Sequence, residues 1–300
     1  MTHISQPNAI PILTQAREMM SRYQVILCDI WGVVHNGRAH FPEACAALAA
    51  FREQGGSVIL VTNAPRPHPP IRQQLKMLGV PDASFDDIVT SGDVTLHYIA
   101  SRVDAPLYHI GPERDLTLFD ILAENTGVRP PLVSLDKASY VVCTGLFHDD
   151  RETPDDYASA LAEMKARKLD FICANPDLVV HVGDRLIYCA GALAQSYEDM
   201  GGRVLQAGKP YAPIYERALE LARHTRQLAA IDKREVLAIG DAMRTDIRGA
   251  CDFGVDALFV TSGIHRDDVH KNDQLDKEAF DQFISSAESV PTAAMAHLRW

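Results

Sequence analysis

The chain has 300 residues, 47% of them hydrophobic and 23% charged, with a formal net charge of −11. That length and balance describe a globular protein with room for one large or two modest cores. The acidic surplus argues against nucleic acid as the main partner, since phosphate backbones call for basic surfaces, and no run of about 20 apolar residues is present to span a membrane.

Residues 1–24 lack the basic start and apolar run of a secretory signal. Residues 12–22 read as a short helix leading into the first strand. Val25-Ile26-Leu27-Cys28 is apolar throughout, as expected of a strand buried on both faces of a parallel sheet, and the chain breaks at Trp31-Gly32. Asp29 ends that strand, where open α/β sheets place their ligand crevice. A carboxylate there is a nucleophile, a metal ligand or a cap for the next helix. A helix over 42–53 is stopped by Gly55-Gly56. A second apolar strand, 57–61, ends on Thr62-Asn63, and helices follow at 69–78 and 93–101.

The middle third repeats this grammar. Residues 107–110, 140–143 and 171–174 read as strands, and 115–124, 154–167 and 193–200 as helices. Asn175-Pro176-Asp177 and His181 fall in a loop that either faces a ligand or is a plain Pro-containing turn. Val204-Leu205-Gln206 returns the chain to Gly208-Lys209-Pro210, a lone lysine ahead of a helix at 214–223. A further strand at 236–239 runs into Gly240-Asp241, with Asp246 five residues on opening a helix at 246–253. A strand at 257–261 follows, and 291–300 reads as a short helix packed on the core. Strands alternating with helices predict an α/β fold with a doubly wound parallel sheet. The middle segment is long enough for a core of its own. The expected organisation is a core over 1–103 and 204–300, interrupted by an inserted, smaller α/β cap domain over 104–203.

Cys28, Cys45, Cys143, Cys173, Cys189 and Cys251 are scattered, mostly in apolar runs, with no Cys-x-x-Cys. Reduced, buried thiols in a cytoplasmic protein are expected, and Cys28 should turn into the core. Asp29, Thr62-Asn63, Lys209 and Asp241 with Asp246 each end a strand or open a helix, so all can meet at one sheet edge. Together they supply a nucleophile, holders for phosphate oxygens, a cation and metal-binding carboxylates, the requirements of phosphoryl transfer.

In this order and spacing, the four segments resemble the motifs of the haloacid-dehalogenase (HAD) superfamily of hydrolases. The long insertion, with Thr90-Ser91-Gly92 and Ala190-Gly191-Ala192-Leu193, resembles the class IIA branch, which includes phosphatases of small phosphorylated metabolites. The resemblance covers residues 23–263. It implies a Rossmann-like core and an aspartyl-phosphate formed on Asp29. It further implies Mg²⁺ held by Asp29, the Trp31 carbonyl and Asp241, with Asp246 binding through water or orienting Asp241 while capping its helix. By the same resemblance, Thr62 and the Asn63 backbone or amide hold phosphate oxygens, and Lys209 balances the charge.

One position departs from that family. Its phosphatases carry a second aspartate two residues after the nucleophile as general acid/base, and here that residue is Trp31. Positioned proton transfer contributes about 10²–10⁴-fold, so its loss slows hydrolysis without removing binding. His35 and His265 follow strand ends on the same edge and titrate near neutrality, so each is a candidate replacement, although most loop histidines do no chemistry. Three readings stay open: a Mg²⁺-dependent phosphatase acting on a small phosphorylated metabolite such as a sugar phosphate, an impaired binder of such metabolites, and a dehalogenase. Asp241 with Asp246 weighs against the last. A homodimer is left open.

Overall fold

The computed structural model describes residues 10–182, 185–227 and 229–300. In chain order its strands are β1 (Val25–Cys28), β2 (Ser57–Thr62), β3 (Asp87–Thr90), β4 (Leu107–Ile110), β5 (Tyr140–Cys143), β6 (Asp170–Cys173), β7 (Val179–Val182), β8 (Arg185–Tyr188), β9 (Arg203–Gln206), β10 (Val236–Gly240), β11 (Asp256–Val260), β12 (His270–Lys271), β13 (Gln274–Leu275) and β14 (Ala293–Met295). Six of them form one parallel sheet in the order β14-β11-β10-β1-β2-β3. A second parallel sheet, β4-β5-β6-β9, is built from the middle of the chain, and β7 with β8 forms an antiparallel hairpin. The fold is thus an α/β, doubly wound, Rossmann-like one.

Strand alternation explains the layers. Ile26, Cys28, Val58 and Leu60 face one side of the large sheet, where Ala44, Leu48 and Phe51 of helix Pro42–Glu53 and Ile71 and Leu75 of helix His68–Met77 cover them. Val25, Leu27, Ile59 and Val61 face the other, against Ile214, Ala218 and Ala222 of helix Ala212–Arg226. Each inner strand is therefore covered on both faces, which is why it reads as an unbroken apolar run. The smaller sheet carries its own two buried clusters, one around Phe171 and Tyr197 and one around Phe119 and Tyr140. No helix of the described residues is long and apolar enough to cross a membrane.

Several elements differ from expectation. The tail is not a helix: Ala293–Met295 pairs with Leu258–Val260 and closes the edge of the large sheet. Residues 12–22 shorten to a helix over Arg17–Met20, because Ile12 bridges to Ala294 and the Leu13 N–H is bonded to the Ala294 carbonyl at 2.7 Å. Residues 12–16 and 294–299 thereby lock together across the sheet edge. β3 is an edge strand that its short sequence does not announce. The loop expected around His181 is hairpin strand β7, and the His181 side chain lies outside the described residues. The helix expected from Asp246 is a π-helical turn over Met243–Ile247 that passes into an α-helix over Arg248–Phe253. All six cysteines are free; five are buried, but Cys251 is exposed.

Candidate active site

β1, β2 and β10 run parallel and in register, so their carboxyl ends open on one edge. Asp29, Trp31, Thr62, Asn63, Asp177, Lys209, Asp241 and Asp246 line a single cleft there, with a volume of about 650 Å³. That size suits a small ligand. The cleft lies at the topological switch of the sheet, where β1 is followed by β2 on one side and flanked by β10 on the other.

Lys209 is the hub. Its Nζ donates to Asp29 Oδ1 at 2.5 Å and to Asp246 Oδ1 at 2.6 Å, and all three side chains are at least nine-tenths buried. The Asp246 Oδ2 accepts from the Ala242 N–H at 3.1 Å, closing the π-helical turn. Asp246 therefore orients Lys209, not Asp241, and caps its own turn. Asp241 is held by the Ile264 N–H, which donates to Oδ2 at 2.8 Å. Two glycines make room for it. A Cβ on Gly32, whose φ is +88°, would lie 2.1 Å from Asp241 Oδ2, and one on Gly263 would lie 1.9 Å away. Only glycine combines that backbone with that approach, and the Gly32 contact brings the Trp31-Gly32 backbone against the Asp241 carboxylate.

Burial pushes the Asp29 carboxyl well above the usual carboxylate range, with Lys209 pulling the other way and Asp246 and Asp241 adding to the rise. Burial and the neighbouring Asp246 push Asp241 up to about 7. Lys209 is held well above its ordinary value by Asp246 and Asp29, although burial opposes this. Two carboxylates thus share one ammonium with a third, Asp241, beside them, and one oxygen from each of the three falls within 4.8 Å of the others. Such a surplus of hard oxygen donors fits a divalent cation such as Mg²⁺, which Asp29, Asp241 and Asp246 could hold, with the Trp31 carbonyl as the backbone ligand that the family resemblance implies.

The Asn63 amide has a different task from the phosphate-holding one that was one of two alternatives for it. Its Oδ1 accepts from the Lys209 N–H at 2.7 Å, and its Nδ2 donates to the Lys209 carbonyl at 3.1 Å and to Asp177 Oδ1 at 2.9 Å. The amide therefore clamps the backbone of Lys209 and ties β2 to the loop after β6. Only its backbone N–H is left for a phosphate oxygen. The Thr62 oxygen accepts from the Ala64 N–H at 3.3 Å, which leaves its hydroxyl proton available to the cleft.

Neither candidate histidine is placed as a proton donor. His35 is buried, its Nδ1 accepts from the Gly37 N–H at 2.9 Å, and its ring meets Trp31 edge-on with centroids 5.2 Å apart. Burial lowers its pKa to about 4, so it is a neutral imidazole at ordinary pH. His265 places Nδ1 2.9 Å from Asp268 Oδ2 and accepts from the Met243 N–H with Nε2 at 3.3 Å, committing both nitrogens. Neither lines the cleft. Trp31 does, 38% exposed, with Gly37 beneath its ring at a separation that no Cβ would fit.

Comparison with known proteins assigns the family. A haloacid dehalogenase-like hydrolase model matches residues 26–123, and a HAD-hydrolase-like model matches 206–285. The crystal structure of a haloacid dehalogenase-like family hydrolase from Brucella suis is 44% identical, with a TM-score of 0.82, covering 96% of this chain and 100% of that one. The chain therefore belongs to the haloacid dehalogenase-like hydrolases. It is also similar to the 5'-nucleotidase YutF of Bacillus subtilis, 26% identical over 86% of this chain and 94% of the relative. An acid sugar phosphatase of Staphylococcus haemolyticus is 27% identical over 82% of this chain and 88% of that protein.

Proposed function

We propose that this hydrolase is a divalent-metal-dependent phosphatase of small phosphorylated metabolites, a sugar phosphate or a nucleotide, working through an aspartyl-phosphate on Asp29. The observation that carries the reading is the buried Asp29–Lys209–Asp246 chain beside Asp241. It holds a carboxylate nucleophile and its countercharge at the mouth of a metabolite-sized cleft. The names of the similar 5'-nucleotidase and acid sugar phosphatase point to the same substrate class.

In this reading Lys209 aligns Asp29 and favours its ionised form against burial, and its charge extends to the incoming phosphate. The Thr62 hydroxyl and the Asn63 N–H hold phosphate oxygens, while the Asn63 amide fixes Lys209. A divalent cation, when bound, supplies the charge neutralisation that lets a carboxylate approach a phosphate dianion. Asp29 then attacks phosphorus, the ester oxygen leaves, and water hydrolyses the acyl phosphate. The cluster of three carboxylates gives a metal-free dehalogenase no advantage.

The test is a screen of phosphomonoesters with the purified chain, with Mg²⁺ and with chelator. Metal-dependent release of phosphate, abolished by Asp29→Asn, supports the proposal. Release that survives Asp29→Asn refutes the aspartyl-phosphate on Asp29, and Mg²⁺ binding without turnover of any ester refutes the phosphatase and leaves a metabolite binder.

A further inference from the structure

The phosphatase reading lacks a proton donor, because the side chain at position 31 is an indole. Among the described residues, the cleft carboxyls other than Asp177 are exposed or already have a part in the phosphatase reading. Asp29 and Asp246 hold Lys209, Asp241 is held by the Ile264 N–H, and Asp267 is exposed at the rim. Asp177 is the remaining carboxyl, and neither phosphate binding nor the attack by Asp29 uses it.

We infer that Asp177, carried by the loop after β6, is the general acid/base that replaces the aspartate missing at Trp31. This rests on the phosphatase reading and assigns its proton transfer. The placement is built, not incidental. The Asp177 N–H donates to Asn175 Oδ1 at 3.1 Å, turning the loop back on itself. Helix Ala190–Asp199 presses on the same peptide: a Cβ on Gly191 would lie 2.3 Å from the Pro176 carbonyl oxygen and 2.4 Å from that of Asp177. From the other side, a Cβ on Gly208 would lie 2.8 Å from the Pro176 ring and 2.4 Å from Asn63 Oδ1. Helix Ala190–Asp199 and the Gly208 segment thus fix the backbone of the loop, and Asn63 Nδ2 fixes the Asp177 Oδ1 at 2.9 Å. Oδ2 accepts no hydrogen bond from any described residue and remains for a reacting group.

The surroundings suit a proton carrier. Burial raises the Asp177 carboxyl above its ordinary value, and Asp246 adds to this, while the Asn63 hydrogen bond, Lys209 and Arg244 hold it down. A carboxyl between those influences can be protonated before reaction and ionised after it. In the first step the Asp29 oxygen bonds to phosphorus as the phosphorus–ester oxygen bond breaks. The Asp177 proton moves to the leaving oxygen, which departs as an alcohol. In the second step the Asp177 carboxylate takes a proton from water as that water's oxygen attacks phosphorus. The acyl-phosphate bond breaks, releasing inorganic phosphate and ionised Asp29, and Asp177 is again protonated.

Asp177→Asn keeps the oxygen that Asn63 bonds, so the loop stays pinned while the proton is lost. In the full chain with Mg²⁺, hydrolysis of glycerol phosphate should fall by about 10²–10³-fold. p-Nitrophenyl phosphate, whose leaving group needs no proton, should lose less than about tenfold on the same grounds. Trp31→Asp in the Asp177→Asn background should recover the alkyl ester selectively. Equal losses on both esters, no loss on either, or the same selective loss in His181→Gln with Asp177→Asn silent, overturns the assignment. If wild type turns over esters and Asp29→Asn abolishes this while Asp177→Asn does nothing, only Asp177 is rejected. If wild type turns over no ester, the phosphatase reading itself falls, and the acid with it.

Discussion

Lys209→Met tests the electrostatic core of the site. The substitution keeps an unbranched side chain of similar length but removes the one ammonium between Asp29 and Asp246, which sit 2.5 and 2.6 Å from it with side chains 8% and 5% exposed. Removing one member of a buried ionic group costs about 3–5 kcal/mol, because a desolvated charge is left unpaired. Here two carboxylates are left, so the upper part of that range is expected at pH 8 in chelator. Those carboxyls can escape by taking up protons, since burial already raises Asp29 and Lys209 is the main influence opposing it. The folded pKa of Asp29 then lies above the unfolded carboxylate value of about 4. As pH rises above that value the unfolded chain releases protons that the folded variant retains, so the variant loses stability with rising pH. Urea unfolding in chelator should therefore show a wild-type-minus-variant gap that widens from pH 5 to pH 8, and Lys209→Met/Asp246→Asn should regain part of it. A gap below about 1 kcal/mol at pH 8, the size of a surface pair, or a gap that does not grow with pH, would refute the argument.

Gly32→Ala places a methyl against Asp241 at a left-handed backbone position. It should cost about 1–3 kcal/mol in stability and weaken Mg²⁺ binding by about tenfold or more, since Asp241 must move; unchanged affinity by titration calorimetry would contradict the placement of Asp241. Trp31→Asp should fold, because Trp31 is 38% exposed and lies at the cleft rim, and with Asp177 already supplying the proton it should change alkyl-ester turnover little in steady-state assays; a large gain would speak against Asp177, and an unfolded variant would show that the ring is structural. His35 and His109 both have pKa values lowered by burial from 6.5 to about 4. Between those values the unfolded chain binds more protons, so stability falls as pH drops from 6.5 towards 4, by up to about 3 kcal/mol each. His35→Gln should flatten that slope in a stability–pH series.

The inner strands were legible because burial on both faces demands uninterrupted apolar runs, as in Val25–Cys28 and Val236–Gly240. The polar residues at their ends were legible for the same reason: Asp29, Thr62 and Asp241 interrupt such runs where nothing else requires a polar group. Ordered along the chain with Lys209, they indicated both the sheet and the chemistry. What sequence alone could not supply depends on partners far away in the chain. Ala293-Ala294-Met295 has helix-forming residues, yet it pairs with β11 because an open sheet edge with the Ile12–Leu13 segment beside it offers hydrogen bonds that a surface helix would not. Asn63 reads as a phosphate holder until Lys209, 146 residues on, takes both ends of its amide. His35 reads as a reactive histidine until burial makes it a neutral ring against Trp31. Asp177 reads equally as a turn residue or a ligand-facing one until Asn63, Gly191 and Gly208 converge on its loop. Local pattern determined which residues could do chemistry; three-dimensional packing decided which of them are free to do it, because a hydrogen bond already made is a group already spent.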